Sequence, residues 1–235
     1  MLRRLFDILG SGLLLMLTAP LFLLTALAIW LDDRGAVFYR QTRVGLHGRP
    51  FELVKFRSMY ENDLPHDCVT EIGEGHHLVT PVGKWIRRFK IDELPQLLNV
   101  FHGAMAIIGP RPALPEHLVD YTSFQRRRLD IRPGLTGWTQ VNGGLNFTWP
   151  ERIVLDVWYV DHRSFWTDAR ILWRTVAVVL FGEQYNPKAL NEAIAYAKNG
   201  CLLNPDLPAP VNNGFLDSER KPGSDKAVSR VSASV

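Results

Sequence analysis

The sequence predicts an α+β fold that is mostly helical, with a short β-hairpin and an N-terminal membrane helix. A charge-free stretch runs from Ile8 to Leu31, and two short runs of alternating residues flank a glycine-containing turn after it. Most later segments carry apolar residues at helical spacing. At 235 residues the chain fits one domain with extensions. Its net charge of +3 suits a phosphate-rich ligand or an anionic membrane surface without selecting either.

The N-terminal apolar stretch is long enough to span a bilayer as a helix. Arg3 and Arg4 favour a cytoplasmic N-terminus, and the Lys- and Arg-rich remainder favours the same side. Pro20 lies in the middle of the stretch, where it removes a backbone hydrogen bond and can bend the helix. We therefore expect residues 1–34 to form a re-entrant helix, whose freed backbone groups need local partners in lipid.

A β-hairpin is expected at the start of a catalytic core that we assign to residues 35–182. Its strands are predicted at 37–40 and 51–57, with a turn between them. Lys55 and Arg57 alternate with apolar neighbours, which predicts that both cations point to one face. A simple solvated strand face is the alternative interpretation.

Asp92 and Glu93 are adjacent acids that follow a cluster of bases at a predicted helix start. Asp92 can serve as the N-cap, because Pro95 then falls in the first turn, where its missing N–H costs little. A helix N-terminus favours anions, so we expect Asp92 to stay ionised beside cations that could hold a phosphate. Ordinary helix capping without any chemistry would explain the same pattern.

Two later segments are candidates for contact with an anion. Arg111 stands between two prolines, which fix it in an extended turn and pre-order a long cation. The loop at 131–138 has a basic entry and glycines, at which backbone N–H groups can approach an anion closely. This loop matches neither the P-loop spacing nor the dinucleotide fingerprint.

Residues 153–181 are predicted to form amphipathic helices rich in aromatic side chains, which suit a membrane interface and also an ordinary core. The basic run at 125–128 is typical of a solvated helix face that can touch anionic headgroups. A C-terminal extension at 183–203 is expected to contain a short helix at 191–198. The tail at 204–235 has the composition of a disordered segment.

Residues 61–75 are polar and irregular, and we expect a mobile loop there. Cys68 and Cys201 are far apart and show neither metal-ligand nor redox spacing, so reduced thiols are expected.

Taken in order, these segments resemble the bacterial sugar transferase family, the monotopic phosphoglycosyl transferases. The resemblance covers roughly residues 2–181, and its specificity comes from the order of several short motifs behind a membrane segment. The chain departs from the family pattern at Ala19, where a Ser is common before the membrane proline. It resembles the small, core-only type. The motifs are residues 3–8, 20, 40–45, 55–59, 92–97, 109–112, 132–137 and 140–143.

The resemblance implies transfer of a sugar 1-phosphate from a UDP-sugar to a polyprenyl phosphate, typically undecaprenyl phosphate, with release of UMP. This is the first membrane step of surface glycan synthesis. By similarity Asp92 is the nucleophile, and the lipid phosphate resolves an aspartyl phosphosugar intermediate. Glu93 would bind Mg²⁺, which commonly uses one or two carboxylates plus substrate phosphates.

Several residues are hypothesised to act together with the two acids. Lys55 is a candidate to orient Asp92. The candidates for phosphate or nucleotide binding are Arg57, Arg87, Arg111, Arg132, Gly134, Thr136 and Gln140.

The expected location is the bacterial inner membrane, with the catalytic residues on its cytoplasmic face and membrane lipids as partners. Nucleic-acid binding is not expected, because the charge surplus is small and no recognised motif is present. A catalytically inactive scaffold and a metal-dependent nucleotide-sugar diphosphate hydrolase are the alternatives. The sequence leaves open the sugar, the glycan pathway and a homodimer.

Overall fold

A computed structural model describes residues 2–60, 78–119 and 121–200. Helices dominate it, which confirms a mostly helical α+β fold. The helices are α1 Leu2–Asp33, α2 Pro81–Arg88, α3 Gln96–His102, α4 Ser123–Arg126, α5 Trp138–Asn142, α6 Trp149–Asp161, α7 Phe165–Phe181 and α8 Pro187–Gly200. The strands are β1 Phe38–Val44, β2 Pro50–Phe56, β3 Ala106–Ile108 and β4 Gly134–Thr136. The loop predicted at 61–75, both cysteines and the tail at 204–235 lie outside the described residues.

The predicted hairpin is confirmed, with a first strand that is longer than expected. β1 and β2 are antiparallel, and their register places Phe38 opposite Phe56 and Val44 opposite Pro50. The connection is a tight turn at Leu46–Gly48, in which His47 has a left-handed backbone conformation (φ 55°, ψ 30°).

A second, parallel sheet pairs β3 with β4. It was not predicted, because three-residue strands are too short to show a period. Gly134 lies on β4, and a Cβ there would collide with the backbone of Gly109. The glycine at 134 is therefore explained by the close approach of two backbone segments.

Helix α1 is continuous through Pro20, and both of its ends contact the same core. Near its start, Arg4 donates a hydrogen bond to the carbonyl of Val100 in α3 at 2.6 Å. At its other end, Asp33 forms an ion pair with Arg57, directly after β2. The interactions at both ends bind the helix to the globular part of the chain.

Arg57 does not join Lys55 at Glu93, with which Lys55 forms an ion pair. The side chain of Arg57 is 8% exposed and is paired with Asp33 at the end of α1. The structure therefore places Arg57 at the junction with the membrane helix.

The two helices predicted at 153–181 differ in environment. α6 is buried along most of its length, so it forms core instead of an interfacial surface. α7 leaves large apolar side chains exposed, among them Phe165, Trp166 and Trp173 at 74%, 78% and 80%. Of these two helices, α7 is therefore the one with an exposed aromatic face that suits a membrane interface.

The helix predicted at 191–198 is confirmed as part of the longer α8. Its apolar face packs against α6, with Leu190, Ala193 and Ile194 at 1% exposure or less. This packing makes the C-terminal extension part of the main core.

Candidate active site

The two adjacent acids occupy a short 3₁₀ turn at Ile91–Glu93, here called the acidic turn. Lys90 precedes it in a left-handed backbone conformation (φ 57°, ψ 20°), and α3 begins only after Pro95. The prediction that Asp92 caps α3 is therefore wrong. The left-handed residue reverses the chain after α2, so the acids form a turn of their own.

Glu93 is held by two cations from separate parts of the fold. Its Oε1 accepts hydrogen bonds from Lys55 Nζ on β2 at 3.2 Å and from Arg111 Nη2 at 3.1 Å. Lys55 was expected to orient Asp92, but its hydrogen bond goes to Glu93. Lys55 acts on Asp92 through its charge.

The environment of Asp92 makes it a weaker acid than usual. Burial contributes most and the charge of Glu93 contributes next, and together they raise the pKa of Asp92 to about 6. The cations Lys55, Arg87 and Lys90 oppose this increase. The ionisation of Asp92 thus depends on these cations and not on a helix cap.

Glu93 behaves in the opposite way. Burial would raise its pKa, but the charges of Arg111, Lys55 and Lys90 outweigh burial and hold the pKa of Glu93 far below its usual range. The two adjacent acids therefore ionise in separate pH ranges. Such a difference favours separate roles for them over a shared proton.

A small pocket of about 40 Å³ that is partly open to solvent, here called the donor pocket, lies beside the acidic turn. Arg111 and Lys90 belong to its wall, so the pocket and the acids share cations. Arg152 adds further positive charge, and Trp149 adds an aromatic ring, while Asp156 and Glu183 contribute carboxylates that pair with Arg128 and Lys90. A polyanionic ligand with an aromatic or sugar group matches this lining.

Part of the pocket wall is a buried ion pair between Arg128 and Asp156 on α6. Arg128 Nη2 lies 2.5 Å from Asp156 Oδ2, and the two side chains are 1% and 2% exposed. Tyr121 and Thr139 complete the network, with hydrogen bonds of 2.7 Å to Arg128 and 2.6 Å to Asp156. The prediction that Arg128 belongs to a solvated face is wrong, because Asp156 draws it into the core.

Gln140 lines the donor pocket with an amide that lacks a partner. Both polar atoms of its side chain are buried and make no hydrogen bond within the described part of the chain. An unsatisfied buried polar group costs about 1–3 kcal/mol. A ligand in the pocket could satisfy the amide, in keeping with the predicted nucleotide contact.

Three of the predicted binding residues lie in structural contacts instead. Arg132 Nε donates a hydrogen bond to the carbonyl of Gly103 at 2.9 Å. The hydroxyl of Thr136 lies 2.7 Å from that of Thr175 on α7, and Gly134 packs against Gly109. The structure does not bring these residues or Arg57 to the pocket.

Several residues of the site were missed by sequence reasoning. Lys90 was visible in the basic cluster, but nothing marked its left-handed backbone. Arg128, Asp156 and Glu183 come together only through contacts between distant segments. Trp149 was not singled out either. Its place as an aromatic residue at the start of α6 is the sequence feature that could have drawn attention to it.

The described residues contain no group of three or more side chains that could bind a metal. The acidic turn nevertheless offers carboxylate oxygens, and Glu93 keeps its charge across the physiological pH range. Mg²⁺ is commonly bound by one or two carboxylates plus substrate phosphates. The donor set therefore fits a magnesium ion that arrives with a diphosphate.

Comparison with known proteins gives consistent matches. The family model described as "Bacterial sugar transferase" matches residues 1–182. "Uncharacterized sugar transferase EpsL" of Bacillus subtilis (strain 168) is 43% identical over 77% of this chain and 89% of the relative. The Caulobacter vibrioides "UDP-glucose:undecaprenyl-phosphate glucose-1-phosphate transferase" is 42% identical over 76% of this chain and 69% of the relative. A protein of the same name from Escherichia coli (strain K12) is 39% identical, and the match covers 39% of its length.

Proposed function

Because the chain belongs to the bacterial sugar transferase family, we propose that it transfers a sugar 1-phosphate from a UDP-sugar to undecaprenyl phosphate and releases UMP. The observation that carries the proposal is the acidic turn, with its two unequal carboxylates, beside a cation-lined pocket. The names of the Caulobacter vibrioides and Escherichia coli relatives describe this reaction with UDP-glucose.

The transfer runs in two displacements at one phosphorus atom. The carboxylate of Asp92 attacks the β-phosphorus of the donor, and the bond to the bridging oxygen breaks with release of UMP. An oxygen of undecaprenyl phosphate then attacks the phosphorus of the aspartyl phosphosugar and regenerates the Asp92 carboxylate. The product is a polyprenyl diphosphate sugar.

The cations around the acidic turn have distinct tasks in this scheme. Arg111 and Lys90 face the donor pocket and neutralise the diphosphate, while Arg87 helps to keep Asp92 ionised. Lys55 and Arg111 fix the carboxylate of Glu93. Glu93 would hold a Mg²⁺ ion with the donor phosphates, and that ion would neutralise charge developing on the phosphate oxygens.

The membrane brings the lipid acceptor to the site. Among the described residues, α1 is a helix long and apolar enough to cross a membrane by length and composition. A straight helix of this length would extend on the order of 48 Å, yet Arg4 and Asp33, near its two ends, contact the same core. These contacts support a re-entrant helix, with the core at the cytoplasmic face of the inner membrane and the exposed face of α7 against lipid.

Cysteine accessibility tests the re-entrant arrangement. Leu2→Cys and Asp32→Cys, each in a chain whose native cysteines are replaced by Ser, put single thiols at exposed positions near the ends of α1. We expect a membrane-impermeant maleimide to label both only after the cells are permeabilised. Labelling of either position in intact spheroplasts would contradict the arrangement.

The pH dependence of the first displacement follows from the pKa of Asp92. With a pKa of about 6, roughly a tenth of the carboxylate is ionised at pH 5 and about nine-tenths at pH 7. We expect the single-turnover rate of UMP release to rise through pH 6 and to level off above pH 7. Glu93 should not cause a second change in this rate between pH 5 and pH 7, because its pKa lies far below that range. A rate that is flat from pH 5 to 7.5 would show that Asp92 is not the titrating nucleophile.

Product analysis separates the proposal from its alternatives. Purified protein is incubated with Mg²⁺ and a panel of UDP-sugars that begins with UDP-glucose, with and without undecaprenyl phosphate. We expect a lipid-linked diphosphate sugar only when the lipid is present. Free sugar 1-phosphate as the main product in both reactions would indicate a hydrolase, and no UMP with any donor would indicate a scaffold.

A further inference from the structure

Lys90 combines an unusual backbone with a position in the donor pocket. Its φ of 57° lies in the left-handed region, which a non-glycine residue seldom adopts, and the acidic turn follows directly. Its side chain lines the pocket beside Arg111. The backbone therefore fixes where this long side chain begins, but a lysine has enough rotamers to place its ammonium group in many positions.

Glu183 removes that freedom. Its Oε1 lies 2.9 Å from Lys90 Nζ, and its Oε2 accepts a hydrogen bond from the backbone N–H of Leu145 at 2.8 Å. The side chain of Glu183 is 16% exposed. A Cβ at Gly144 would collide with this carboxylate, so the turn at 144–145 is shaped around it. One carboxylate thus connects two walls of the pocket.

The segment that carries Glu183 is anchored without this carboxylate. The backbone N–H of Asn186 donates to the carbonyl of Asn142 at 2.8 Å, and the amide of Asn186 contacts the Asn142 side chain at 2.8 Å. Arg174 on α7 donates to the same side chain at 2.6 Å. A substitution of Glu183 is therefore expected to leave the segment in place.

The charges around Lys90 favour its protonated form. Burial opposes the charge, but Glu183 and Glu93 outweigh burial and raise the pKa of Lys90, while Arg111 acts against them. Asp92 lies two residues away, and the charge of Lys90 opposes the increase in the pKa of Asp92. Lys90 therefore presents a permanent positive charge to the pocket.

We propose that Glu183 is a positioning residue, which holds the ammonium group of Lys90 where it binds the diphosphate of the nucleotide donor. The inference rests on the proposed function and extends it. Glu183 lies one residue beyond the part of the chain matched by the family model, so this contact makes the segment after α7 part of the donor site. A pre-ordered cation loses less entropy on binding than a mobile one.

The binding of UDP, a diphosphate without the sugar, tests this role independently of activity. Isothermal titration calorimetry on the purified full chain with Mg²⁺ should give a Kd about tenfold higher for Glu183→Gln than for the wild type. Glu192→Gln is the matched control, because it makes the same charge change at an exposed position of α8. Its Kd should equal that of the wild type.

A double-mutant cycle shows whether Glu183 acts through Lys90. Lys90→Met should weaken UDP binding by itself, and Glu183→Gln added to Lys90→Met should cause no further loss. Additive effects, or an unchanged Kd in Glu183→Gln, would overturn the proposal. If Glu183→Gln does not fold, Glu183→Ala replaces it in the cycle, and an unchanged Kd or an additive effect would overturn the proposal in the same way.

The outcome for the wild type separates this inference from the proposed function. A wild-type chain that binds no UDP would contradict the donor site itself. A wild-type chain that binds UDP, with Glu183→Gln binding equally well, would overturn the role of Glu183 alone.

Discussion

Asp92→Asn is expected to lower the rate of sugar-phosphate transfer by more than about a thousandfold, as the loss of a covalent nucleophile does in other enzymes. The amide is similar in size to the carboxylate but cannot form the aspartyl phosphosugar. The fold should be retained, because the change removes a buried charge that Glu93 repels. UMP release and lipid-linked product measure the effect.

The control for this variant is Glu52→Gln on β2. It neutralises an exposed carboxylate, whose side chain is 56% accessible, and should keep wild-type activity. The mass of purified Asp92→Asn must also be checked, because deamidation would restore the native residue. Substantial transfer by intact Asp92→Asn would refute the proposed nucleophile.

Asp156→Ala is expected to destabilise the protein by about 3–5 kcal/mol, because it leaves the buried guanidinium of Arg128 without its counter-ion. Both side chains are almost fully inaccessible, so water cannot replace the lost partner. Tyr121 and the carbonyl of Arg111 would still contact Arg128, but they carry no negative charge. For a chain of this size the melting temperature should fall by roughly 10 °C.

Arg127→Ala provides the comparison at the surface. Arg127 pairs with Asp161, but its side chain is 43% exposed, so its loss should cost less than about 1 kcal/mol. The double variant Arg128→Met/Asp156→Leu should recover most of the stability lost in Asp156→Ala, because no unpaired charge then remains buried. Equal melting temperatures for Asp156→Ala and Arg127→Ala would contradict the importance of the buried pair.

Local sequence patterns predicted the features that depend on near neighbours. The apolar run of α1, the alternation in the hairpin and the adjacent acids each lie within a short segment. The order of the short motifs along the chain indicated the family, and the family match over residues 1–182 confirmed that resemblance. The environment of each acid could not be predicted in this way, because it depends on Lys55 from β2 and on Arg111 from after β3.

Features that depend on distant contacts were not predicted. Arg128 looked solvated in its basic run, since its partner Asp156 is 28 residues away in a helix that reads as apolar. Gly134 and Thr136 looked like an anion-binding loop, but they pair with β3. The prediction that Asp92 caps α3 was wrong because Lys90 adopts a left-handed backbone conformation, which its residue type does not favour, and the acids then form a separate turn before α3.

The covalent intermediate tests the two-step mechanism most directly. Purified protein is mixed with Mg²⁺ and the UDP-sugar that supports transfer, but without undecaprenyl phosphate, and is then denatured and digested. The mechanism predicts a burst of up to about one UMP per protein and a phosphosugar adduct on the peptide that contains Asp92. No burst and no adduct, in protein that transfers sugar phosphate once the lipid is added, would contradict it.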